Sequence, residues 1–299
     1  MRNNHTKKFW KIKHIMYLCR CIAVYITIRI YIYKEYKLND MTKQAKIISF
    51  ANHKGGVGKT TTTASVGSIL ASLGKKVLLV DMDAQSNLTS SLLQTEQVDL
   101  TIYDALSASC RGEAYRLGIY PIADNLEIVP SSLRLASADL ELSSVMAREH
   151  ILADVLQEKL ANYDYILIDC PPSLGLLTLN ALTASNLVVI PLLAEVLPFQ
   201  GLTMINDFIR MVKQKLNPNI ETAGILLTRW EKSNLSKQIE AGLRSKLGDS
   251  VFKTKIRKNI KIAEAPLEAV NIVEYDPKSN GAADYRAFVE ELLSKITNK

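Results

Sequence analysis

The sequence is most constrained at residues 53–61, which read HKGGVGKTT and directly follow the apolar run at 47–51. Glycines let the backbone curl so that successive N–H groups face an anion, and a helix beginning near Lys59 would add the positive end of its dipole. The strict phosphate-loop pattern G-x-x-x-x-G-K-[ST] fails only at its first glycine, where His53 stands. Lys59 is therefore expected to reach the β- and γ-phosphates of a nucleotide, and the Thr60 hydroxyl to ligate Mg²⁺. The alternative is a glycine-rich turn without a ligand.

From residue 46 onward, short apolar and β-branched runs alternate with stretches of helical periodicity. The strand interiors are almost continuously apolar, which is typical of parallel strands covered on both faces. Strands are predicted at 46–52, 76–81, 126–130, 165–169, 187–191, 221–229 and 251–256. Helices are predicted at, for example, 59–73, 149–162, 199–216, 235–247 and 282–297. This alternation indicates an α/β fold with a doubly wound, mostly parallel sheet and helices on both faces, which binds ligands at the carboxyl ends of its strands.

The net charge of +7 comes from the beginning of the chain. Residues 1–40 hold nine Lys or Arg and two acidic residues, whereas the rest of the chain holds 28 of each sign. Global charge is therefore no argument about partners of the folded part. Residues 15–33 are apolar, but Arg20 and Arg29 would make a membrane span costly. We interpret residues 1–40 as an extension, either disordered or the product of an over-called start codon, and residues 41–299 as one domain.

The four cysteines are not spaced for metal binding or for paired disulfides. They are Cys19, Cys21, Cys110 and Cys170, with no C-x-x-C pair among them. Neither a zinc site nor structural disulfides are expected, and a reducing cytoplasm is the consistent compartment.

Three acidic residues follow two of the predicted strands. Asp81 and Asp83 end one strand, and Asp169 ends another. Because the carboxyl ends of parallel strands meet at one edge of the sheet, all three can converge on a nucleotide bound at the glycine-rich loop. The alternative is that they are helix caps or turn formers.

The glycine-rich loop carries a second lysine, Lys54, near its start, which makes it the "deviant Walker A" motif. With D-x-D-x-Q at 81–85 and D-x-P-P-S at 169–173, the chain resembles the ParA family of partition ATPases over residues 44–297, in the Soj-like form without an N-terminal DNA-reading domain. The resemblance implies a P-loop NTPase fold, slow ATP hydrolysis and Mg²⁺ as cofactor. It implies that the nucleotide is bound by Lys54, Gly55, Gly56, Val57, Gly58, Lys59, Thr60 and Thr61.

The resemblance also implies individual roles. Lys54, Lys59 and Asp83 are the expected catalytic residues: Lys54 reaches the partner's phosphates in a nucleotide-sandwich dimer, and Asp83 orients the attacking water. Asp169 holds Mg²⁺ through a water molecule, and Asp81 supports the metal site without touching the metal. Two departures from the family are Ala84, where proline is common, and His53, where glutamine is frequent. We interpret His53 as loop packing or a hydrogen-bond donor in preference to a catalytic group.

Residues 229–261 hold ten basic and three acidic residues. Such a patch can bind DNA phosphates without reading sequence, although a charged run is often only a solvated face. The resemblance favours DNA, because Lys232, Lys258 and Lys261 fall near positions where relatives carry DNA-contacting arginines. Arg257 stands where relatives frequently have proline.

The function these features favour is DNA partitioning. We expect an ATP-bound homodimer that binds double-stranded DNA without sequence preference and is released when a ParB-type partner stimulates hydrolysis, in the cytoplasm and on the nucleoid. The alternative is a membrane-associated positioning ATPase of the MinD type, which would need an amphipathic basic helix at the C-terminus. Residues 282–299 are more typical of a packed terminal helix, so no stable membrane association is expected. A metal-cluster carrier would need a thiolate pair that Cys110 and Cys170 do not supply.

Overall fold

A computed structural model describes residues 44–93, 98–194 and 198–297. The expected extension at 1–40 and the first residues of the expected domain lie outside this part, so its boundary stays a prediction. The eight strands are β1 (Lys46–Phe50), β2 (Val77–Asp81), β3 (Tyr120–Ala123), β4 (Leu126–Val129), β5 (Tyr165–Asp169), β6 (Leu187–Leu193), β7 (Glu221–Trp230) and β8 (Val251–Arg257). The helices are α1 (Lys59–Ser72), α2 (Asn87–Leu92), α3 (Ile102–Cys110), α4 (Ala138–Ser143), α5 (Ile151–Gln157), α6 (Leu176–Ala184), α7 (Pro198–Lys215), α8 (Asn234–Leu247), α9 (Ile260–Glu264), α10 (Ile272–Tyr275) and α11 (Asn280–Thr297).

The strands form one sheet in the order β3-β4-β2-β5-β1-β6-β7-β8. Every neighbouring pair is parallel except β3 and β4. The chain therefore winds outward from β1 in both directions, and the carboxyl ends of β1, β2 and β5 share one edge. This confirms the predicted doubly wound, mostly parallel sheet.

Helices cover both faces of the sheet, as expected. Strand residues alternate between two apolar clusters: Ile166 and Ile168 pack on one face, and Leu167 between them packs on the other. The period of two is the geometry of a pleated strand, and it explains why the strand interiors are continuously apolar. The first face is covered mainly by α3 to α8, and the second mainly by α1 and α11.

The predicted strand bounds agree with the structure to within two residues. β3 was not predicted, because it is a four-residue antiparallel edge strand that contains Pro121 and leaves alternate residues exposed. β6 continues past Pro191 to Leu193. β1 ends at Phe50, so no β1 partner remains for an N–H at residue 191, and proline costs no hydrogen bond there.

The helix predictions hold with one substantial correction. The helix predicted at 149–162 is only α5, Ile151–Gln157, because the chain turns at Lys159 to bring the buried Tyr163 to the start of β5. α1 ends at Ser72, and Gly74 follows with φ +76°, the left-handed conformation expected of a helix-terminating glycine.

The C-terminal helix α11 is packed, as the sequence suggested. Its Tyr285, Phe288, Val289 and Leu292 are all buried, and they lie in the same apolar cluster as residues of α1 and β8. An apolar face committed to the core is not available for a membrane surface. Within the ranges that the structure describes, no helix is long and apolar enough to cross a membrane.

Candidate nucleotide-binding site

The glycine-rich loop connects β1 to α1 at the carboxyl edge of the sheet. Gly56 has φ +70° and Gly58 has φ +85°, conformations that glycine adopts without the strain of a Cβ. Gly58 precedes α1, and no side chain caps this 14-residue helix. The first N–H groups of α1 are therefore left for a ligand, and an anion is the ligand that the helix dipole favours.

Side chains from neighbouring strands hold the loop in this shape. The Thr228 hydroxyl at the end of β7 donates to the Val57 carbonyl at 2.8 Å. The Asn52 amide donates to the Pro191 carbonyl at 2.7 Å, and its oxygen accepts the Lys54 N–H at 3.1 Å. The loop is thus tied to β6 and β7, which keeps its backbone N–H groups organised before a ligand arrives.

Removing the Thr228 hydroxyl tests this anchoring. In Thr228→Val the Val57 carbonyl loses its buried donor, which costs about 1–3 kcal/mol. We expect a lower melting temperature and several-fold weaker ATP binding by titration calorimetry. Thr222→Val, on the same strand but only half-buried, is the matched control. Equal ATP affinities in the two variants would contradict the anchoring role.

Lys59 is the buried lysine of the loop. Its residue is 6% exposed, and its ammonium donates to the Lys54 carbonyl at 3.2 Å. Burial lowers the pKa of Lys59, and the nearby Asp169 carboxylate opposes that shift. The ammonium lies inside the curl of the loop, where the phosphates of a nucleotide would replace the carbonyl as its partner.

Asp169 and Asp81 face each other at the ends of adjacent strands β5 and β2. Asp169 is fully buried, and neither of its carboxylate oxygens has a hydrogen bond of ordinary geometry to another of the described residues. Burial, reinforced by Asp81, raises the pKa of Asp169 well above its usual range, although the Thr60 hydroxyl and Lys59 act in the opposite direction. A cation with its water shell is a suitable partner for a buried carboxylate in this position.

Asp81 differs from Asp169 because both of its oxygens are occupied. One accepts the Asp83 N–H at 3.1 Å, and the other accepts the N–H and hydroxyl of Thr89 at 2.9 and 2.7 Å. Burial nevertheless raises the pKa of Asp81 to about 6. These hydrogen bonds fix the turn after β2 and the start of α2. They position Asp83, and the predicted indirect role of Asp81 at the metal site stays a prediction.

A cavity of about 890 Å³ opens above the loop. Lys59, Thr60, Thr61 and Asp83 line it, together with Gly55, Gly56 and Gly58 of the loop. Asp83 is partly exposed there, and one of its oxygens accepts the Gln85 N–H at 3.0 Å. A nucleoside triphosphate fits a cavity of this size, which extends from the loop to the connection after β8.

Six residues on the other side of this cavity were not among the predicted site residues. They are Arg229, Arg257, Asn259, Ile260, Pro266 and Asn271. Arg229 has φ +49°, an uncommon backbone conformation for a residue with a Cβ, and such strain is concentrated at functional sites. These positions are spread from the end of β7 to the start of α10, so no single local pattern groups them.

No cluster of three or more His, Cys, Asp or Glu side chains is arranged to hold a metal ion within the described part of the chain. Mg²⁺ does not require one, since it keeps several waters and takes ligands from nucleotide phosphates. The roles of Thr60 and Asp169 toward Mg²⁺ stay predictions.

The basic stretch 229–261 is less positive than its sequence suggests. Five of its ten basic side chains have a carboxylate within 3.1 Å. Lys258 pairs with Glu231 at 2.7 Å, and Lys261 pairs with Glu264 at 2.9 Å. Lys232 is exposed. Counting charges within residues 229–261 overestimated the positive charge of this surface. Glu264 and Asp284 face the surface but lie outside that stretch of sequence.

The fold and the loop together define a P-loop nucleoside triphosphatase. A family model described as an AAA domain matches residues 45–222. The sporulation initiation inhibitor protein Soj of Bacillus subtilis is 41% identical over 251 residues, which cover 83% of this chain and 98% of Soj. The chromosome-partitioning ATPase Soj of Treponema pallidum is 39% identical over 251 residues, 84% of this chain and 98% of the relative. The chain belongs to the Soj/ParA family of chromosome-partitioning ATPases.

Solved structures agree with this family. A cobyrinic acid a,c-diamide synthase from Mycobacterium smegmatis with an ATP analogue and magnesium superposes with a TM-score of 0.72 at 31% identity, covering 83% of this chain and 94% of that one. A putative plasmid partition protein from Borrelia burgdorferi bound to AMPPNP gives 0.71 at 28% identity, covering 85% and 99%. The septum site-determining protein MinD of Pyrococcus horikoshii with Mg-ADP gives 0.69 at 29% identity, covering 83% and 96%.

Proposed function

We propose that this chain is a partitioning ATPase whose ATP-bound dimer binds DNA without sequence preference and lets go when ATP is hydrolysed. Its reaction is the hydrolysis of ATP with Mg²⁺, as in the family to which it belongs. One observation carries the dimeric part of the proposal. Lys54 is exposed and is not among the residues that line the nucleotide cavity of its own chain, whereas Lys59, at the other end of the loop, is buried and lines it.

The residues of the site form two groups, those that bind the nucleotide and Mg²⁺ and those that act in ATP hydrolysis. The loop from Lys54 to Thr61 binds the phosphates, with Lys59 as the fixed cation. Thr60 and, through water, Asp169 hold Mg²⁺, which supplies charge neutralisation at the phosphates. Asp83 orients the attacking water, and Asp81 keeps Asp83 and the start of α2 in place. The unpartnered carboxylate of Asp169 supports this assignment.

Lys54 serves the nucleotide of the second protomer. Lys54 is exposed at the rim of the phosphate loop, on the side that an anion approaching from outside the chain would reach. In a dimer that encloses two nucleotides between its protomers, such a lysine neutralises charge developing on the departing γ-phosphoryl group. Hydrolysis removes the contacts that hold the dimer, so the dimer acts as a ligand-biased switch.

The DNA-binding surface is formed by Lys232, Lys258 and Lys261. Lys258 also lines the nucleotide cavity, so one residue lies at both sites. The side chains of Lys258 and Lys261 are 59% and 44% exposed, and ion pairs between such exposed groups contribute little. Both lysines can therefore exchange a carboxylate for a DNA phosphate at small cost.

Removing two of these lysines tests the surface. In Lys258→Ala with Lys261→Ala, DNA affinity is expected to fall roughly tenfold or more at moderate salt, and the salt dependence to become shallower by about 0.9 per lost contact. Because Lys258 also lines the nucleotide cavity, ATP affinity is measured separately and DNA binding is compared at saturating ATP. Lys75→Ala with Lys76→Ala, exposed just before β2, is the matched control of equal charge change. Unchanged DNA binding in the first double variant would refute this surface.

The cellular role that follows is segregation of a plasmid, a mobile element or a chromosome origin. A ParB-type partner that stimulates hydrolysis would release the dimer from nucleoid DNA in the cytoplasm.

The buried apolar face of α11 argues against the MinD-type alternative. Co-sedimentation with anionic liposomes in the presence of ATP separates the two, since strong binding would favour the membrane role.

A further inference from the structure

His53 contacts the first part of helix α7. A Cβ added at Gly201 would lie 2.6 Å from the His53 ring carbon Cε1, closer than real side chains approach one another. The ring therefore fills the space that a side chain at position 201 would need. The contact joins the phosphate loop to α7, and none of the described side chains of α7 lines the nucleotide cavity.

Neither partner in this contact can move freely. Asn52 restrains the backbone on both sides of His53. Its side-chain amide donates to the Pro191 carbonyl, and its side-chain oxygen accepts the Lys54 N–H. On the other side, α7 is anchored in the core by Leu202, Ile205 and Ile209, which are at most 5% exposed. The backbone on both sides of the contact is thus fixed, by the hydrogen bonds of Asn52 in the loop and by the buried face of α7.

The contact between His53 and Gly201 is steric packing and not a hydrogen bond. The Nδ1 atom of His53 is buried and has no hydrogen-bond partner among the described residues. A residue chosen for hydrogen bonding would leave no such atom unpaired. This agrees with the packing role expected for His53 and leaves its steric contact with Gly201 as what the ring provides.

The residue next to His53 is Lys54. Its N–H is held by Asn52 and its carbonyl by Lys59, so its backbone position depends on the same short segment. We propose that His53 is a positioning residue for Lys54: by packing against Gly201 it fixes the direction in which Lys54 leaves the loop, and with it the contact that Lys54 makes in the ATP-bound dimer. This inference rests on the proposed role of Lys54 between two protomers.

Four variants test the proposal: Gly201→Ala, His53→Ala, the double variant, and His53→Gln, which keeps a flat side chain. The dimer dissociation constant is measured by analytical ultracentrifugation with AMPPNP and Mg²⁺, and nucleotide affinity is measured separately at protein concentrations where the chain is monomeric. We expect Gly201→Ala to weaken the dimer by about ten- to a hundredfold, the effect of an ångström-scale displacement of an acting group. Monomer affinity for AMPPNP is expected to stay within a few-fold, which loss of fold would not allow.

Rescue distinguishes displacement from general damage. In His53→Ala with Gly201→Ala the methyl group occupies the vacated space, so the double variant is expected to dimerise better than Gly201→Ala alone, a clear departure from additivity. His53→Ala should weaken the dimer several-fold, and His53→Gln should stay near the parent. Parent-like dimers in Gly201→Ala, or strictly additive effects in the double variant, would overturn the proposal. If Gly201→Ala does not fold, parent-like dimerisation of His53→Ala overturns it instead.

Lys54→Ala separates this proposal from the proposed function. A parent protein that stays monomeric with AMPPNP, or a Lys54→Ala variant that dimerises normally, would remove the proposed role of Lys54 and the inference with it. A dimer that requires Lys54 but is insensitive to position 201 and to His53 would overturn the inference alone.

Discussion

Lys59→Ala is expected to abolish measurable ATP binding. Lys59 is the only buried cation of the described loop, and its ammonium lies inside the backbone curl. Its loss removes charge-assisted hydrogen bonds to two phosphates, worth about 1.5–3 kcal/mol each, and leaves the buried Asp169 without its nearest positive neighbour. Titration calorimetry with ATP and Mg²⁺ should show affinity lowered by at least about a hundredfold.

Lys75→Ala is the control for this substitution. Lys75 is exposed just after α1, and replacing it changes the net charge by the same amount. Its ATP affinity should equal that of the parent. A Lys59→Ala variant that folds, as judged by its circular dichroism, and still binds ATP like Lys75→Ala would show that the phosphates lie elsewhere.

Asp83→Ala is expected to stop turnover while ATP stays bound. Asp83 lines the cavity beside Lys59 and is the acidic residue of the three that is partly exposed to it. Positioning of an attacking water by a carboxylate contributes about 10²- to 10⁴-fold to a rate. Phosphate release should therefore fall by about a hundredfold or more, and the ATP-bound dimer should accumulate.

Asp124→Ala serves as the matched control, because Asp124 is an exposed acidic residue in the turn between β3 and β4. Its turnover should match the parent. Equal hydrolysis rates in Asp83→Ala and Asp124→Ala would remove Asp83 from the mechanism. Weaker ATP binding in Asp83→Ala would instead give it a role in holding the nucleotide.

Much of the site could be predicted because its signals are local. The loop, the strand before it and the helix after it are contiguous, so spacing alone placed Lys59 and Thr60. The acidic ends of β2 and β5 could be brought together because parallel strands share an edge. Their pairing in register, Asp81 opposite Asp169, bears out that reasoning.

The rest depends on contacts between residues far apart in sequence. Thr228 holds the Val57 carbonyl across 171 positions, and no pattern around Thr228 reveals it. Asp284 similarly pairs with Arg257, which reduced the free charge expected of the basic stretch. The strained backbone at Arg229 is visible only in the folded chain. Sequence patterns indicate the secondary structure that a segment favours. These features arise from tertiary contacts between segments that are distant in sequence.

His53 combines a local feature that the sequence shows with a distant contact that it does not show. The sequence identified it as a departure from the family and favoured packing or hydrogen-bond donation over catalysis, and the contact with Gly201 supports packing. Its partner, Gly201, lies in another helix and could not be identified, because a glycine carries no side chain whose chemistry would announce the contact.

ATP, and not ADP, is expected to turn this chain into a DNA-binding dimer. This expectation is tested most directly by measuring affinity for two duplexes of unrelated sequence, each with ATP or ADP and Mg²⁺, across a range of salt concentrations. The account predicts binding only with ATP, with equal affinities and equal salt dependence for the two duplexes. Equal binding with ADP, a strong preference for one duplex, or no binding with ATP would contradict it.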